Sequence, residues 1–431
     1  GCQVQATNRK PQTPMKTISD AIELELQQIW EHVLGVKPIG VSDHFFDAGG
    51  HSLSAVHLMD QIHKHFDVRL SPASLFDAPT IELQAGVIRR AATSGPAPIV
   101  VPLRPTGTKT PFFCVHPAPG TVFCYMPIVA HLDPERPFYG VQGPTVDGIG
   151  AVIDAIPEAA RVYVAAIRQV QPHGPYMFGG HSSGGNIAFE MAQQLRALGE
   201  EVKLVVMLDS MSPVPGTRSE ELYRVIVDVT NDSIWLASVV LLVEHFFAAK
   251  LDITYKMLRT MPMDRQIQTV LDALKRINFV APSADAGAIL GMVENFKRTL
   301  QSTMQYQSRK YDGKIAYLRT ADLFTALPEG ILRESLVNLG KTLLRNWRMT
   351  LRVLPQMLRD NLTTIARSGA FRNYFSDETL GWQRFSTQPV AVYPVPGNHN
   401  AMLTDPHAKD VAAALAKCLD AADSSSWTLP Q

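Results

Sequence analysis

From Pro111 onward, short apolar runs alternate with helical stretches, and this alternation restricts the chain to a mostly parallel sheet covered on both faces. The candidate strands are Phe112–Val115, Phe138–Val141, Tyr176–Phe178, Val202–Leu208, Lys314–Leu318 and Val390–Tyr393. Two long stretches interrupt the series. One is helical in pattern, at about 219–307, and with its leader forms a candidate lid over about 211–307. The other, at about 323–380, separates the fifth and sixth strands. Neither belongs to a minimal α/β core.

Upstream, the periodicity is helical throughout. Residues 1–16 lack an apolar period and read as a linker. Ser19 can cap a helix in which Ile22, Leu26, Ile29, Trp30 and Val33 recur at helical spacing, and Gly35 stops it. A second helix begins at Ser52 and turns Leu53, Val56, Met59 and Ile62 inward; a short last one lies near Thr80–Val87. The expectation is a small all-α four-helix domain over 17–88. Residues 89–110 are rich in Pro, Gly, Ala and Thr and read as an interdomain linker, leaving 111–425 for the α/β domain.

Charge excludes some functions. The chain has 40 basic and 40 acidic residues, and no basic stretch is interleaved with aromatics, which argues against nucleic acid as a partner. Residues 17–88 hold ten acidic side chains against three basic ones, so a net −7 there is balanced by +7 elsewhere. The N-terminus lacks a charged-then-apolar signal pattern. The longest apolar run, Ile234–Val243, is well short of the ~20 residues of a membrane span and reads as a buried or lid helix. The cysteines (Cys2, Cys114, Cys124, Cys418) have no metal-ligand spacing, so no metal is expected and a reducing cytoplasm is.

The chemistry centres on Gly180-His181-Ser182-Ser183-Gly184. Alone, a G-x-S-x-G string is weak. Here the strand Tyr176–Phe178 leads into it and a helical stripe of Ile187, Met191, Leu195 and Leu198 leaves it, the strand–turn–helix context in which a serine hydroxyl projects as a nucleophile. That hydroxyl needs a base, and His399, on a loop after the last strand, is placed for it; His407, eight residues on, reads as a surface residue. The acid that orients the base is either Asp209 or Asp322, each at a strand C-terminal end, and the residues alone divide evenly between them. Oxyanion donors are expected from the backbone N–H of Ser183 and of Ala118, in the loop His116–Gly120, with His116 shaping that loop.

A further string, Asp43-His44-Phe45-Phe46-Asp47-Ala48-Gly49-Gly50-His51-Ser52-Leu53, with Leu75-Phe76-Asp77-Ala78-Pro79-Thr80 after it, resembles the peptidyl carrier domain of nonribosomal peptide synthetases. Residues from about 100 to 425 resemble the type I thioesterase that follows such a carrier. The resemblance implies an α/β-hydrolase fold with a helical lid, 4′-phosphopantetheine attached at Ser52, and release of an acyl or peptidyl thioester through a Ser182–Asp209–His399 triad, favouring Asp209 over Asp322. It also implies upstream adenylation and condensation domains and a phosphopantetheinyl transferase as partners. Hydrolysis, macrocyclisation and transfer all remain open as release modes. So do two other functions: an editing thioesterase that clears stalled acyl groups, and an inactive docking scaffold.

Two features depart from the family pattern. Pro119 stands where a glycine is usual, stiffening the oxyanion loop without deleting the Ala118 donor. The 323–380 insertion is long, and Arg333–Arg372 carries eight basic residues against Glu334 and Asp360 beside an apolar stripe of Leu343, Leu344, Trp347, Leu351 and Leu354. It reads as an extra lid element that docks the acidic carrier or an anionic substrate, with Arg345, Arg348 and Arg352 as the residues whose charge reversal tests this, and a plain solvated helix face accounts for it equally well.

Overall fold

A computed structural model describes residues 21–424 with the exception of 51, 67, 69, 71–73, 92–97, 119, 144, 147–148, 151–154, 213–231, 247–248, 278, 281–283 and 323–376. The chain falls into two compact units whose main division lies between Ala97 and Pro98.

The first unit is helical: α1 (Ala21–Leu34), α2 (Ser52–Phe66), the short α3 (Ser74–Asp77) and α4 (Ile81–Ala91). Leu26, Trp30, Phe45, Leu58, Ile62, Leu75 and Ile81 form its core. Trp30 Nε1 donates to Gln84 Oε1 at 2.9 Å, so the indole N–H is satisfied and α1 is tied to α4. Leu83 N–H donates to Thr80 Oγ1 at 3.3 Å, which makes Thr80 the cap of α4 rather than its first residue. On α2 the buried face runs through Ala55, Leu58, Met59 and Ile62. The expected face advanced by threes, and such a run drifts off a helix of 3.6 residues per turn, which is why Leu58 was passed over. The side chains of Leu53 and Val56, and the whole of Ser19, lie outside the described residues.

The second unit is built on a seven-stranded sheet. Its strands are β1 (Val100–Arg104), β2 (Phe112–Val115), β3 (Phe138–Val141), β6 (Tyr176–His181), β7 (Val202–Leu208), β8 (Ile315–Asp322) and β9 (Ala391–Asn398), in the order β1-β3-β2-β6-β7-β8-β9. A separate two-residue hairpin pairs β4 (Thr145–Val146) with β5 (Ile149–Gly150). All neighbours in the main sheet run parallel except β1, which pairs antiparallel with β3. That strand corrects the reading of 89–110 as linker. Pro102 hides it, because proline cannot donate to a ladder; at a sheet edge, beside the register shift between Pro102 and Arg104, it is tolerated.

Among the described residues, four helices cover this sheet: α5 (Met126–His131), α6 (Ile156–Val170), α7 (Ser183–Ala197) and α12 (Ala408–Asp423). α6 packs against α7, and α5 against α12. Phe113, Phe178, Val205 and Met207 of the strands meet Tyr163, Phe189 and Met191 of the α6–α7 layer. Leu198, expected on the α7 stripe, is 62% exposed, because the helix ends at Ala197 and Leu198 is its C-terminal cap.

Among the described lid residues, four helices follow β7: α8 (Asp232–Phe246), α9 (Tyr255–Leu258), α10 (Met263–Arg276) and α11 (Ala286–Gln305). The long apolar run lies in α8 with Ile234, Leu236 and Val240 buried, and no described helix is long and apolar enough to cross a membrane. Tyr306, just past α11, donates its hydroxyl to buried Glu190 of α7 at 2.6 Å, tying the last lid helix to the sheet domain. The basic insertion, with Arg345, Arg348 and Arg352, lies outside the described residues.

Candidate active site

β6 is buried along its whole length and delivers the chain to Ser182 at φ 56°, ψ −125°, from which α7 departs. A serine at positive φ is uncommon and costs about 1 kcal/mol or more, so it persists only where its surroundings impose it. They do so by close packing. Ser182 N–H donates to the Leu208 carbonyl at 3.1 Å, and Ser210 Oγ to the Gly180 carbonyl at 3.2 Å, pinning the turn to β7. A Cβ on Gly184 would lie 2.5 Å from the carbonyl oxygens of Val115 and His116, and one on Gly185 would strike Ser210 Oγ. Gly184→Ala is therefore expected to destabilise the fold by about 1–3 kcal/mol through overpacking against backbone that cannot yield. Urea unfolding checks this, and labelling of Ser182 by a fluorophosphonate is expected to slow in parallel.

Asp209 follows β7 at φ +49° and is fully buried. Its Oδ2 accepts from His399 Nδ1 at 2.8 Å and its Oδ1 from the Thr320 N–H at 3.0 Å. Burial pushes this carboxyl's pKa up, but the bonds and the charge interaction with His399, with the Thr320 bonds, outweigh it and hold the carboxyl below its ordinary range. An ionised carboxylate only accepts, so Nδ1 of His399 carries a proton, and in the neutral ring Nε2 is the nitrogen with the lone pair. Asp209, one of the two candidate acids, is bonded to His399. Asp322 ends β8 with its backbone in register with Asn398, and its side chain lies outside the described residues. Thr320 was not foreseen; its part is played by a main-chain N–H, which leaves no mark in a sequence.

His399 sits directly after β9, where Asn398 Oδ1 accepts from the N–H groups of Asn400 and Ala401 at 3.1 and 2.9 Å and bends the loop. His407, read from sequence as a surface residue, is instead half-buried at the start of α12, its ring packed over Gly397. The loop after β2 holds Ala118, which is buried. His116 Nδ1–H donates to the Pro117 carbonyl at 2.7 Å, and its Nε2 accepts from the Tyr163 hydroxyl at 2.7 Å. Burial lowers its pKa to about 4, so it stays neutral and shapes the loop. Ser183, buried, is the first residue of α7. Pro119 lies outside the described residues.

In the helical unit, Ser52 is the first residue of α2, where the orphan N–H groups and the helix dipole favour an anion such as a phosphodiester. The preceding loop folds back on itself: Gly50 N–H donates to the Phe45 carbonyl at 2.9 Å, and a Cβ on Gly50 would strike the Phe45 ring. Those residues fit a phosphopantetheine attachment point. Among the described residues, no cluster of His, Cys, Asp and Glu has the make-up of a metal site.

A mostly parallel sheet, a residue at positive φ between a buried strand and a helix, and an aspartate–histidine pair that follows β7 and β9 place the second unit in the α/β-hydrolase class. The chain belongs to the thioesterase domain family, whose model matches residues 110–419, and residues 25–88 match the phosphopantetheine attachment site. It is thus a carrier domain followed by a thioesterase domain. Chondramide synthase cmdD of Chondromyces crocatus is 30% identical over 424 residues, covering 93% of this chain and 9% of the relative. A dimodular nonribosomal peptide synthase of Bacillus subtilis (strain 168) is 39% identical over 204 residues, 47% of this chain and 8% of the relative. The chain spans less than a tenth of the length of these two relatives. A crystal structure of a holo four-domain nonribosomal peptide synthetase bound to AMP and glycine matches with a TM-score of 0.57 and 26% identity, covering 96% of this chain and 27% of that one.

Proposed function

We propose that this chain is the carrier and release end of a nonribosomal peptide synthetase, holding an acyl or peptidyl group at Ser52 and releasing it through Ser182. The carrier is assigned to 17–88 and the thioesterase to Pro98 onward, so that β1 is included. The observation that carries this reading is the Asp209–His399 bond beside the Ser182 turn, on a chain that also holds a phosphopantetheine attachment site.

When attached at Ser52, 4′-phosphopantetheine supplies a terminal thiol on which the acyl group is held as a thioester. His399 Nε2 takes the Ser182 proton as Oγ attacks the thioester carbonyl carbon, with Asp209 holding the imidazole in the required tautomer. The backbone N–H groups of Ala118 and Ser183 stabilise the oxyanion. His399 then returns the proton to the departing sulfur, leaving the acyl group on Ser182. Discharge repeats the sequence with water, an amine or a hydroxyl as the nucleophile that His399 deprotonates. Upstream adenylation and condensation domains would load the carrier, and a phosphopantetheinyl transferase would prime it. The described cysteines Cys114, Cys124 and Cys418 are free thiols, which suits a reducing cytoplasm.

The test is intact-protein mass spectrometry after loading from an acyl-coenzyme A through a phosphopantetheinyl transferase, which joins the acyl-phosphopantetheine to Ser52 Oγ and releases adenosine 3′,5′-bisphosphate. Ser52→Ala is expected to gain no mass at all, while the unsubstituted chain gains arm and acyl group and then loses the acyl group. Free acid in solution marks hydrolysis; an acyl-Ser182 adduct that persists until an amine or hydroxyl is added marks transfer or ring closure. An acyl group that stays on Ser52 whatever nucleophile is supplied would sink the reading.

A further inference from the structure

The strand that delivers the nucleophile ends in a histidine that the chemistry above does not use. The His181 ring is buried and lies against the His399 ring, centroids 4.5 Å apart and planes inclined by 34°. His181 Nε2 is 2.7 Å from the main-chain carbonyl oxygen of His399. A carbonyl only accepts, so Nε2 carries the proton and donates it. At the other end, the His181 N–H donates to the Tyr125 hydroxyl at 3.1 Å, and that hydroxyl donates to the Val115 carbonyl. Val115 is the last residue of β2 and opens the loop that bears Ala118. One buried hydrogen-bonded line therefore joins the oxyanion loop, the residue before the nucleophile and the residue assigned as base.

We infer that His181 is a positioning residue for the release reaction: its Nε2–H grips the backbone of His399 and so sets the reach of that imidazole toward Ser182. The inference rests on Ser182 and His399 being nucleophile and base. Asp209 holds the His399 ring at a single edge, and a ring held at one edge can still swing about that bond. The His181 grip on the carbonyl, with its ring against the His399 ring, removes that swing. A donor in this place has to be uncharged, since a second cation beside the base would oppose its protonation. Burial first, and the neighbouring His399 second, lower the His181 pKa to about 3, so the ring stays a neutral donor.

His181→Phe keeps an aromatic ring against His399 and deletes the donor. His181→Gln puts an amide N–H where Nε2 stood. The readout is the rate at which a fluorophosphonate labels Ser182 in the full chain, because labelling needs nucleophile and base but no carrier. Labelling of His181→Phe is expected to fall roughly 10- to 100-fold, the scale of a small misplacement of a reacting group. His181→Gln is expected to recover most of that rate at a matched melting temperature, and KM for an acyl-pantetheine substrate to stay unchanged in both. A folded His181→Phe that labels at the unsubstituted rate would overturn the inference. So would equal losses in the Phe and Gln variants, which would mark His181 as core filling. Should His181→Phe not fold, Tyr125→Phe cuts the same line from its other end: slower labelling supports the inference and an unchanged rate overturns it. Labelling that maps to a serine other than Ser182 would instead overturn the nucleophile assignment, and this inference with it.

Discussion

Replacing Ser182 by alanine is expected to abolish fluorophosphonate labelling and to slow acyl release by at least about 10³-fold, leaving the loaded acyl group on the carrier. The size of the effect follows from the proposed role: without Oγ there would be no covalent acceptor, and only the proposed oxyanion donors and substrate positioning would remain to act on water. Folding does not confound the result. Alanine at φ 56° carries much the same backbone penalty as serine, and the N–H of residue 182 still reaches the Leu208 carbonyl. A melting temperature near that of the unsubstituted chain, together with an acyl group that never leaves the carrier in intact-protein mass spectra, is the expected pair of observations. Release at an undiminished rate would mean that another group accepts the acyl chain.

Asp209→Asn is expected to lower release by roughly 10³- to 10⁴-fold while preserving the shape of the site. The Thr320 N–H can still donate to the amide oxygen, so the side chain keeps its orientation. The amide nitrogen then faces His399 Nδ1, and as a donor it forces the imidazole into the tautomer with the proton on Nε2, where it cannot accept from Ser182. Asp322→Asn, at the end of β8, is expected to leave the rate within a few-fold, and the reverse pattern would transfer the role to Asp322. Because the folded pKa of Asp209 lies below its unfolded value of ~3.9, its contribution to stability is present above that value and is lost as pH falls through the folded pKa. Asp209→Asn should accordingly flatten the acid limb of a stability–pH curve, measured as urea midpoints.

Much of the fold was legible because strands buried on both faces read as apolar runs. β2, β3 and β7 have the limits that the runs indicate. Strand ends were less legible where the ladder continues through glycine and polar residues, as β6 does through Gly179, Gly180 and His181 and β9 through Pro396, Gly397 and Asn398. β1 was missed because Pro102 argues against a strand unless the strand is known to lie at an edge, and being an edge is a property of the assembled sheet. The contact of the His407 ring with Gly397, ten residues earlier in the chain, likewise arises only after β9 and α12 have packed.

Local chemistry was therefore written in the chain: glycines where a serine must turn sharply into a helix, a Gly-Gly pair ahead of Ser52, a histidine after the last strand. These follow from φ/ψ restriction and hydrogen-bonding capacity, which each residue type carries with it. The pairing of groups was not. The residues alone left Asp209 and Asp322 level, since both end strands, and gave no reason to single out Thr320 or His181. The register of β7 against β8, and of β8 against β9, brings Asp209, the Thr320 N–H and His399 together, and the end of β6 lays His181 beneath them. Contacts across 111 to 218 residues of chain are set by how the sheet assembles, and only the tertiary structure could decide them.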